Sequence, residues 1–417
     1  MSASAQPTSE PTASGAMAAT DSGAATDRGP AATSGATTPG RPATTTPAPT
    51  EPTATSEPTA AAPQPAADDV LPGRGLRVLA VTNMWPVGDS FRGVFVEEQV
   101  RALRKLGAHV DVEVVAQARG RRDYLLAAPR IRRRVREGNY DIVHVHHGMC
   151  ALACRFMGDV PRVLGLYGHD INWHWQRWIT KMGWGPIPDR LYLTRRMAIA
   201  AGEPDGPVIP NGVDFEVFAP GDRDAARARF GYTPQDKVIL FGGVPSNWVK
   251  GYDVFSDVLA ALRERGLAVK ELVLPEPGQD RHQTAQKFLA ADVLLFTSRK
   301  GFEGSPTVVK EATAMNLPVV TTDVGDVAEI LSGVHPSAVV EWPEPWGTPA
   351  ARARLVADLA DQVEKVLAVG TRSNGREQNA WLAWDRIGAR IIEYYREVIA
   401  RHASRRAAGG SRGVRSR

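Results

Sequence analysis

Cysteine is scarce in this sequence. Only two cysteines, Cys150 and Cys154, occur among its 417 residues, which excludes the disulfide framework of small secreted proteins. Their i, i+4 spacing suits one face of a helix, and no histidine or cysteine partner follows at the spacing of a metal site. We therefore expect both thiols to pack in a core, and the low count is typical of a reducing cytoplasm.

Long apolar runs are also missing. No stretch of roughly 18 apolar residues occurs, so no membrane-spanning helix is predicted. We expect a cytoplasmic protein that is soluble or peripheral at the inner face of the cell membrane. The formal net charge is only +4 at pH 7, and no aromatic platform or zinc spacing accompanies the basic residues, so we do not expect a nucleic-acid partner.

Residues 1–70 contain almost no large apolar side chains and consist mainly of Ala, Thr, Pro, Ser and Gly. Such a segment cannot bury enough surface to offset the entropy lost on ordering, so we predict a disordered, low-complexity extension. It has no apolar core of the kind that marks a secretory signal. About 345 residues remain after it, enough for two α/β domains.

Short apolar strands alternate with helical segments in two similar halves of the remaining chain. The predicted strands of the first half are 76–82, 110–115, 141–146 and 162–167. Those of the second half are 237–242, 292–296 and 319–322. Between the halves lies EPDGPVIPNGVD, whose prolines and glycines predict a junction. The alternation predicts an α/β fold of two Rossmann-like, doubly wound domains.

The stretch EGSPTVVKE places two carboxylates, Glu303 and Glu311, on either side of a predicted helix start. Ser305 is a favourable N-cap and Pro306 a favourable first helical residue. The free N–H groups of residues 307–309 would then form a site of partial positive charge for a diphosphate. A strand precedes this loop and another follows the helix, and such βα loops bind ligands. Taken alone, the two glutamates favour the simpler interpretation of a solvated loop charge and an ordinary helix residue.

The wider pattern DVLLFTS…EGSPTVVKEATAMNLPVVTTDVGD resembles the donor-site signature of the family 4 retaining glycosyltransferases. VTNMWPVGDSFRGVFVEEQV resembles that family's N-terminal opening, and VIPNGVDFEVFAP its interdomain segment. The resemblance implies the GT-B fold, in which two Rossmann-like domains face each other across a cleft. It also implies that Glu311 binds the ribose hydroxyls of a nucleotide-sugar donor and that Glu303 binds the transferred sugar.

The same resemblance implies a domain order. After the extension at 1–70 come an acceptor domain at 71–207 and a donor domain at 208–377. A closing helix at 378–402 crosses back to the acceptor domain, and a basic flexible tail at 403–417 follows it. The closing helix carries an apolar stripe at three- and four-residue spacing that must pack on something. Its residues are Trp381, Trp384, Ile387, Ile391, Tyr395 and Val398. The EGSP loop is similar to that of a subgroup that builds bacterial surface polymers of the teichuronic acid and capsule kind.

A donor diphosphate needs a cation. Lys250 and Gly251 match the family's Lys-Gly pair at a helix start, and each charge-assisted hydrogen bond from a lysine there is worth about 1.5 to 3 kcal/mol. Where the family usually has an arginine a few residues earlier, Asn247 is a candidate neutral donor. Gly93 is implied to let the backbone approach the diphosphate. Further donor-binding candidates at the predicted helix start are Ser305, Thr307 and Val308.

The acceptor side departs from the family pattern. Many members have a histidine near the anomeric centre, whereas Tyr167 stands in its place here and His169 follows two positions later. If the strand continued, alternation would put both side chains on the same side. We therefore name Tyr167 and His169 as catalytic candidates beside Glu303 and Lys250. His146, at the end of another strand, is the best placed of the neighbouring histidines to reach the cleft.

Eight arginines lie between residues 119 and 136, interleaved with apolar residues. This pattern predicts a basic, partly amphipathic helix. It could contact an anionic membrane or a phosphate-bearing acceptor, and a solvated helix face explains it equally well.

The implied reaction moves a sugar from a nucleoside-diphosphate sugar to a carbohydrate, lipid-linked or small-molecule acceptor, with retention of configuration. No metal or other cofactor is implied, because a lysine and a helix N-terminus can stabilise the leaving diphosphate. Two alternatives stay open. A non-catalytic nucleotide-sugar-binding protein would explain the replaced arginine and histidine, and a sugar-nucleotide epimerase shares the fold. A hydride-transferring enzyme is disfavoured, because FGGVPS lacks G-x-G-x-x-G spacing.

Overall fold

We analysed a computed structural model of the chain, which describes residues 71–88, 93–117, 119–172, 174–185, 187–274 and 279–413. The predicted extension at 1–70 lies outside the described residues. The rest forms an α/β structure with two separate parallel sheets of five strands each. The predicted α/β class and the two alternating halves are confirmed.

The first sheet has the strand order β2-β1-β3-β4-β5, with every neighbouring pair parallel. Its strands are β1 Arg77–Thr82, β2 His109–Val114, β3 Ile142–His146, β4 Arg162–Leu166 and β5 Asp189–Tyr192. The helices of this half are α1 Val94–Lys105, α2 Asp123–Leu126, α3 Ala128–Gly138, α4 Cys150–Ala153, α5 His169–Asn172, α6 His174–Trp184 and α7 Arg195–Ala201. Sequence reasoning missed β5, because its four residues begin with two charged side chains and show no apolar run.

The second sheet has the order β10-β9-β8-β6-β7 and is also parallel throughout. Its strands are β6 Lys237–Phe241, β7 Val269–Val273, β8 Val293–Phe296, β9 Val319–Thr322 and β10 Ala338–Val340. The helices are α8 Arg223–Arg229, α9 Tyr252–Glu264, α10 Arg281–Ala290, α11 Thr307–Ala314, α12 Val327–Ile330, α13 Pro349–Val369 and α14 Gly375–Gln378. Two short 3-10 helices, Trp248–Lys250 and Ala380–Leu382, complete it.

Each sheet has an apolar core on both faces. In β1, Leu79 and Val81 belong to one buried cluster and Val78 and Ala80 to another, as strand alternation requires. The strands are therefore apolar on both sides, the pattern of a parallel sheet covered by helices. Because every strand in a sheet runs the same way, their carboxyl ends and the loops that follow them gather at one edge. Cys150 and Cys154 are buried in the first core, as predicted.

The last helix, α15 Trp384–Gly413, returns to the first half of the chain. Its buried residues Trp384, Ile387, Ile391 and Tyr395 share one cluster with β1, so the apolar stripe packs on the first sheet as the resemblance implied. Trp381, the first predicted residue of that stripe, precedes the helix and is exposed. The helix also continues past residue 402, into the segment predicted to be a flexible tail.

The cause of this extension is a pair of arginines. Arg401 and Arg405 both form ion pairs with Asp189 of β5, at 3.0 and 2.8 Å, which holds another turn of α15 against the first sheet.

The arginine-rich segment 119–136 does not form a single helix, so that prediction is wrong in detail. It contains the short α2 and the start of α3, with Pro129 in the first turn of α3. Proline lacks an N–H and favours a helix start, so it divides the segment there.

Candidate active site

A cavity of about 380 Å³ lies where loops after strands of both sheets meet. Seven of the predicted site residues line it, namely Tyr167, Lys250, Glu303, Ser305, Thr307, Val308 and Glu311. The cavity also has walls from α1 and α10, through Phe95, Glu98 and Arg281. Three glutamates, a lysine, an arginine and a helix N-terminus therefore face one cavity, large enough for a small-molecule ligand.

Lys250 and Glu303 form an ion pair inside this cavity. The lysine Nζ donates to the Glu303 Oε1 at 2.6 Å, and the Ser298 hydroxyl donates to the same oxygen. Gly243 makes room for the lysine stem, since a Cβ there would lie 2.7 Å from the Lys250 Cγ. A carboxylate and an ammonium group thus sit side by side, suited to a ligand that carries both hydroxyls and negative charge.

The helix after the EGSP loop starts one residue later than predicted. Pro306 is the N-cap in an extended conformation and α11 begins at Thr307, so Ser305 is not the N-cap. Its hydroxyl instead donates to the Asp326 carboxylate at 2.6 Å. Burial raises the pKa of Asp326. Ser305 therefore anchors the loop, while Thr307 and Val308 form the cavity wall at the helix N-terminus.

Glu311 lies in the second turn of α11 and is almost fully buried. Its carboxylate accepts a hydrogen bond from the Arg281 guanidinium, which also reaches Glu98 of α1. Sequence reasoning missed both partners. A carboxylate on the core-facing side of α1 is the signal that could have drawn attention to Glu98, whereas nothing local marks Arg281.

Tyr167 lines the cavity with its ring, and its hydroxyl is hydrogen-bonded to His146 Nδ1 at 2.5 Å. His146 stacks on His144, with ring centroids 3.9 Å apart. Burial lowers the pKa of His144 to about 3. Burial and the neighbouring His144 hold the pKa of His146 well below its usual value. Burial raises the pKa of Tyr167. All three groups are thus neutral at neutral pH, and His146 contacts the site only through Tyr167.

The alternation that was expected to bring His169 beside Tyr167 does not occur. β4 ends at Leu166, and α5 starts at His169. The Asp170 carboxylate accepts hydrogen bonds from the backbone N–H groups of Tyr167 and Gly168, at 3.0 and 2.9 Å, and so turns the chain out of the strand. The His169 side chain lies outside the described part of the structure.

The loops of the two halves touch at this cavity. A Cβ on Gly304 would lie 2.8 Å from the Tyr167 carbonyl oxygen and 3.5 Å from the Gly168 Cα. Only glycine permits this close approach of two backbones. The EGSP loop is therefore held directly against the loop that carries Tyr167.

Three predicted donor-binding residues do not line the cavity. Asn247 caps the 3-10 helix that contains Lys250, where its Oδ1 accepts from the Val249 N–H at 3.2 Å. Gly251 is the left-handed N-cap of α9. Gly93 is the left-handed N-cap of α1, and a Cβ there would lie 2.3 Å from the Met84 carbonyl carbon. The group that Gly93 approaches closely is thus the protein's own backbone at Met84.

Within the described ranges, no group of three or more His, Cys, Asp or Glu side chains is placed to hold a metal ion. In the same part of the chain, every helix is too short or too polar to cross a bilayer.

The chain has two five-stranded parallel sheets, and loops from both sheets line a cleft large enough for a ligand. This arrangement defines the GT-B fold of glycosyltransferases. Sucrose-phosphate synthase from Thermosynechococcus elongatus has this fold in common with the chain. It superimposes with a TM-score of 0.60 at 16% identity, covering 78% of this chain and 99% of that one. Anabaena HepE, solved in complex with UDP-glucose, superimposes with a TM-score of 0.52 at 16% identity, covering 80% of this chain and 100% of that one.

Family models match both halves of the chain. Residues 71–217 match the model described as Glycosyltransferase Family 4, which covers the whole first sheet. Residues 277–368 match the model described as Glycosyl transferases group 1, which covers β8 to β10 and α11. Each half of the chain is thus similar to a glycosyltransferase domain model, the first half to family 4 and the second to group 1.

Curated relatives match part of the chain. D-inositol 3-phosphate glycosyltransferase of Nocardiopsis dassonvillei is 28% identical over 228 residues, 47% of this chain and 51% of that protein. A putative teichuronic acid biosynthesis glycosyltransferase of Bacillus subtilis, TuaC, is 26% identical over 227 residues, 48% of this chain and 57% of that protein. The chain therefore matches about half the length of each of these relatives.

Proposed function

We propose that this protein transfers a sugar from a nucleoside-diphosphate sugar to an acceptor hydroxyl with retention of configuration. The observation that carries the proposal is the convergence of Glu303, Glu311, Lys250 and the N-terminus of α11 on one cavity. Each matches a part of such a donor. A carboxylate can accept from a ribose diol or from sugar hydroxyls, and an ammonium group and a helix N-terminus can bind a diphosphate. The relation to HepE, solved with UDP-glucose, supports a donor of this class.

The proposed reaction follows from charge. The bond between the anomeric carbon and the diphosphate oxygen breaks, which leaves a cation-like sugar and an anionic nucleoside diphosphate. Lys250 and the α11 N-terminus stabilise the anion. The acceptor hydroxyl forms the new bond on the face that the diphosphate leaves, and a diphosphate oxygen takes its proton. This route needs no protein nucleophile and no metal. Glu303 orients the sugar, and Tyr167 covers it from the first half of the chain.

For the acceptor we propose a broad chemical class. It is a carbohydrate, a lipid-linked glycan or a small molecule, used in making a surface polysaccharide or glycoconjugate at the cytoplasmic face of the membrane. The relation to TuaC, named for teichuronic acid biosynthesis, supports this context.

The donor can be tested by incubating the purified chain with a panel of nucleotide sugars. We expect slow release of the nucleoside diphosphate from one donor, unchanged by a metal chelator. Glu311→Ala should weaken binding of that nucleoside diphosphate by about 10- to 100-fold, because one or two hydrogen bonds to a carboxylate are lost. Glu329→Ala, at an exposed glutamate of α12, is the matched control. Binding without turnover under any acceptor would identify a non-catalytic binding protein instead.

We also propose that the arginine-rich segment 119–136 contacts an anionic membrane. Arg130 and Arg134 are engaged with Glu113, at 2.5 and 2.9 Å, whereas Arg132 and Arg133 are exposed. Beside them on α2, Leu125 and Leu126 are 71% and 68% exposed. Exposed leucines next to arginines suit the interface between lipid headgroups and acyl chains.

Sedimentation with phosphatidylglycerol vesicles tests this contact. Each arginine near an anionic surface adds about 1 kcal/mol, so the double variant Arg132→Gln, Arg133→Gln should bind roughly 30-fold more weakly. Arg354→Gln, on the exposed face of α13, should bind like the unchanged protein. Equal binding of both variants would assign 119–136 to an ordinary solvated surface.

A further inference from the structure

One arginine joins the two halves of the chain at the candidate ribose site. Arg281 Nη2 donates to Glu311 Oε1 at 2.7 Å, and Arg281 Nε donates to Glu98 Oε1 at 2.8 Å. Both carboxylates are nearly inaccessible, with side chains 4% and 7% exposed. Glu98 belongs to α1, Arg281 to α10 and Glu311 to α11, so the guanidinium bridges helices beside both sheets.

The rest of the surroundings restricts the movement of Arg281. Its backbone lies in the first turn of α10, where Asp280 and Gln283 form a reciprocal capping box. The guanidinium carbon lies 4.6 Å from the centroid of the Phe218 ring, close enough for a cation–π contact. On the far side, Glu98 accepts a second hydrogen bond, from Trp384 Nε1 at 3.3 Å. The guanidinium is therefore fixed in place from several directions.

The charge of Arg281 and the charges of Glu98 and Glu311 stabilise one another. Burial acts to lower the pKa of Arg281, but the charges of Glu311 and Glu98 outweigh it and raise the pKa. Burial, with the charge of Glu311, raises the pKa of Glu98 against the opposing effect of Arg281. Two buried carboxylates thus depend on one cation, and removing it would leave charge without compensation in a poorly solvated site.

This pairing suggests a task other than phosphate binding for Arg281. Two of its nitrogens already donate to carboxylates, and the hydrogen bond to Glu311 uses one lone pair of Oε1. A carboxylate offers about four lone-pair sites on its two oxygens. Glu311 can therefore accept both hydroxyls of a vicinal diol while Arg281 holds it in one orientation.

We propose that Arg281, anchored by Glu98, is the positioning residue that presents the Glu311 carboxylate to the ribose diol of the donor. This inference rests on the proposed function, because it takes Glu311 to be the group that binds the ribose. It adds that the ribose site is built from both halves of the chain. The arginine acts through Glu311. Removing it should therefore lower the affinity for ligands that carry the diol and leave the affinity for ligands without the diol nearly unchanged.

The test is isothermal titration calorimetry with UDP, GDP and ADP and with their 2′,3′-dideoxy analogues. In Arg281→Gln, we expect the nucleoside diphosphate that the unchanged protein binds to lose affinity by about 10-fold or more, and its dideoxy analogue by less than 2-fold. Arg265→Gln is the matched control. Arg265 also pairs with two carboxylates, Asp361 and Glu364, but on the outer surface, so both ligands should bind as before.

Glu98→Gln is the second variant, for the case that Arg281→Gln does not fold. It keeps the shape of α1 but removes the anchoring charge, and should produce the same diol-selective loss at a smaller magnitude, about 3-fold or more. Equal losses for ribose and dideoxy ligands, or no loss, would overturn the positioning role while leaving the proposed function intact. If the unchanged protein binds none of the three nucleoside diphosphates, the proposed function and this inference both fail.

Discussion

Replacing Lys250 with alanine is expected to lower the kcat of sugar transfer by about 100- to 1000-fold. The departing diphosphate gains negative charge in the transition state, and loss of one well-placed donor to such an oxyanion typically costs this much. The variant also leaves Glu303, which the Lys250 Nζ contacts at 2.6 Å, without its cation. Steady-state release of the nucleoside diphosphate at saturating donor is the measurement.

Lys300→Ala is the matched control for this variant. Lys300 lies shortly before the EGSP loop and also pairs with a glutamate, Glu344, at 2.8 Å, but both side chains are exposed. Its kcat should stay within about 2-fold, as expected for an exposed ion pair. If the kcat of Lys250→Ala lies within 3-fold of the kcat of the unchanged protein, Lys250 has no role in the proposed reaction.

The second large effect concerns stability. Gly93→Ala should lower the free energy of unfolding by about 3 kcal/mol or more, because the new Cβ would overlap the Met84 carbonyl group and the left-handed φ of 86° strains any other residue. Thermal unfolding followed by circular dichroism would show this as a fall in Tm.

Gly202→Ala separates the two causes. Gly202 has almost the same φ, 89°, but open space where its Cβ would lie. Its variant should lose only about 1 kcal/mol, the cost of the left-handed conformation. Equal losses in the two variants would show that the backbone at Met84 yields, and that the contact at Gly93 contributes little.

The donor side of the site was predictable because its signals are local. Glu303, the EGSP loop and Glu311 lie within nine residues, and the strand before them and the helix that contains Glu311 constrain where they point. Lys250 likewise follows β6 through a short connection. The predicted helix start at Pro306 differs from the observed start at Thr307 by one residue, which is the size by which helix ends are usually uncertain.

Contacts between distant segments were not predictable in this way. Glu98 and Arg281 are 183 positions apart, and no pattern in either segment points to the other. Tyr167 was assigned from its place in a family pattern, but its bond to His146 and the turn made by Asp170 depend on side-chain packing. Extrapolating the strand past Leu166 failed because a local hydrogen bond outcompeted the extended conformation.

The return of α15 to the first sheet has a consequence for biosynthesis. The cluster that contains Val78 and Ala80 of β1 also contains Ile387, Ile391 and Tyr395, which leave the ribosome after all five strands of the second sheet. Until then, this face of the first sheet is covered only in part, by α1. The first sheet is thus completed only after the second sheet has been made, and until then its partly covered apolar face is liable to aggregation in the nascent chain.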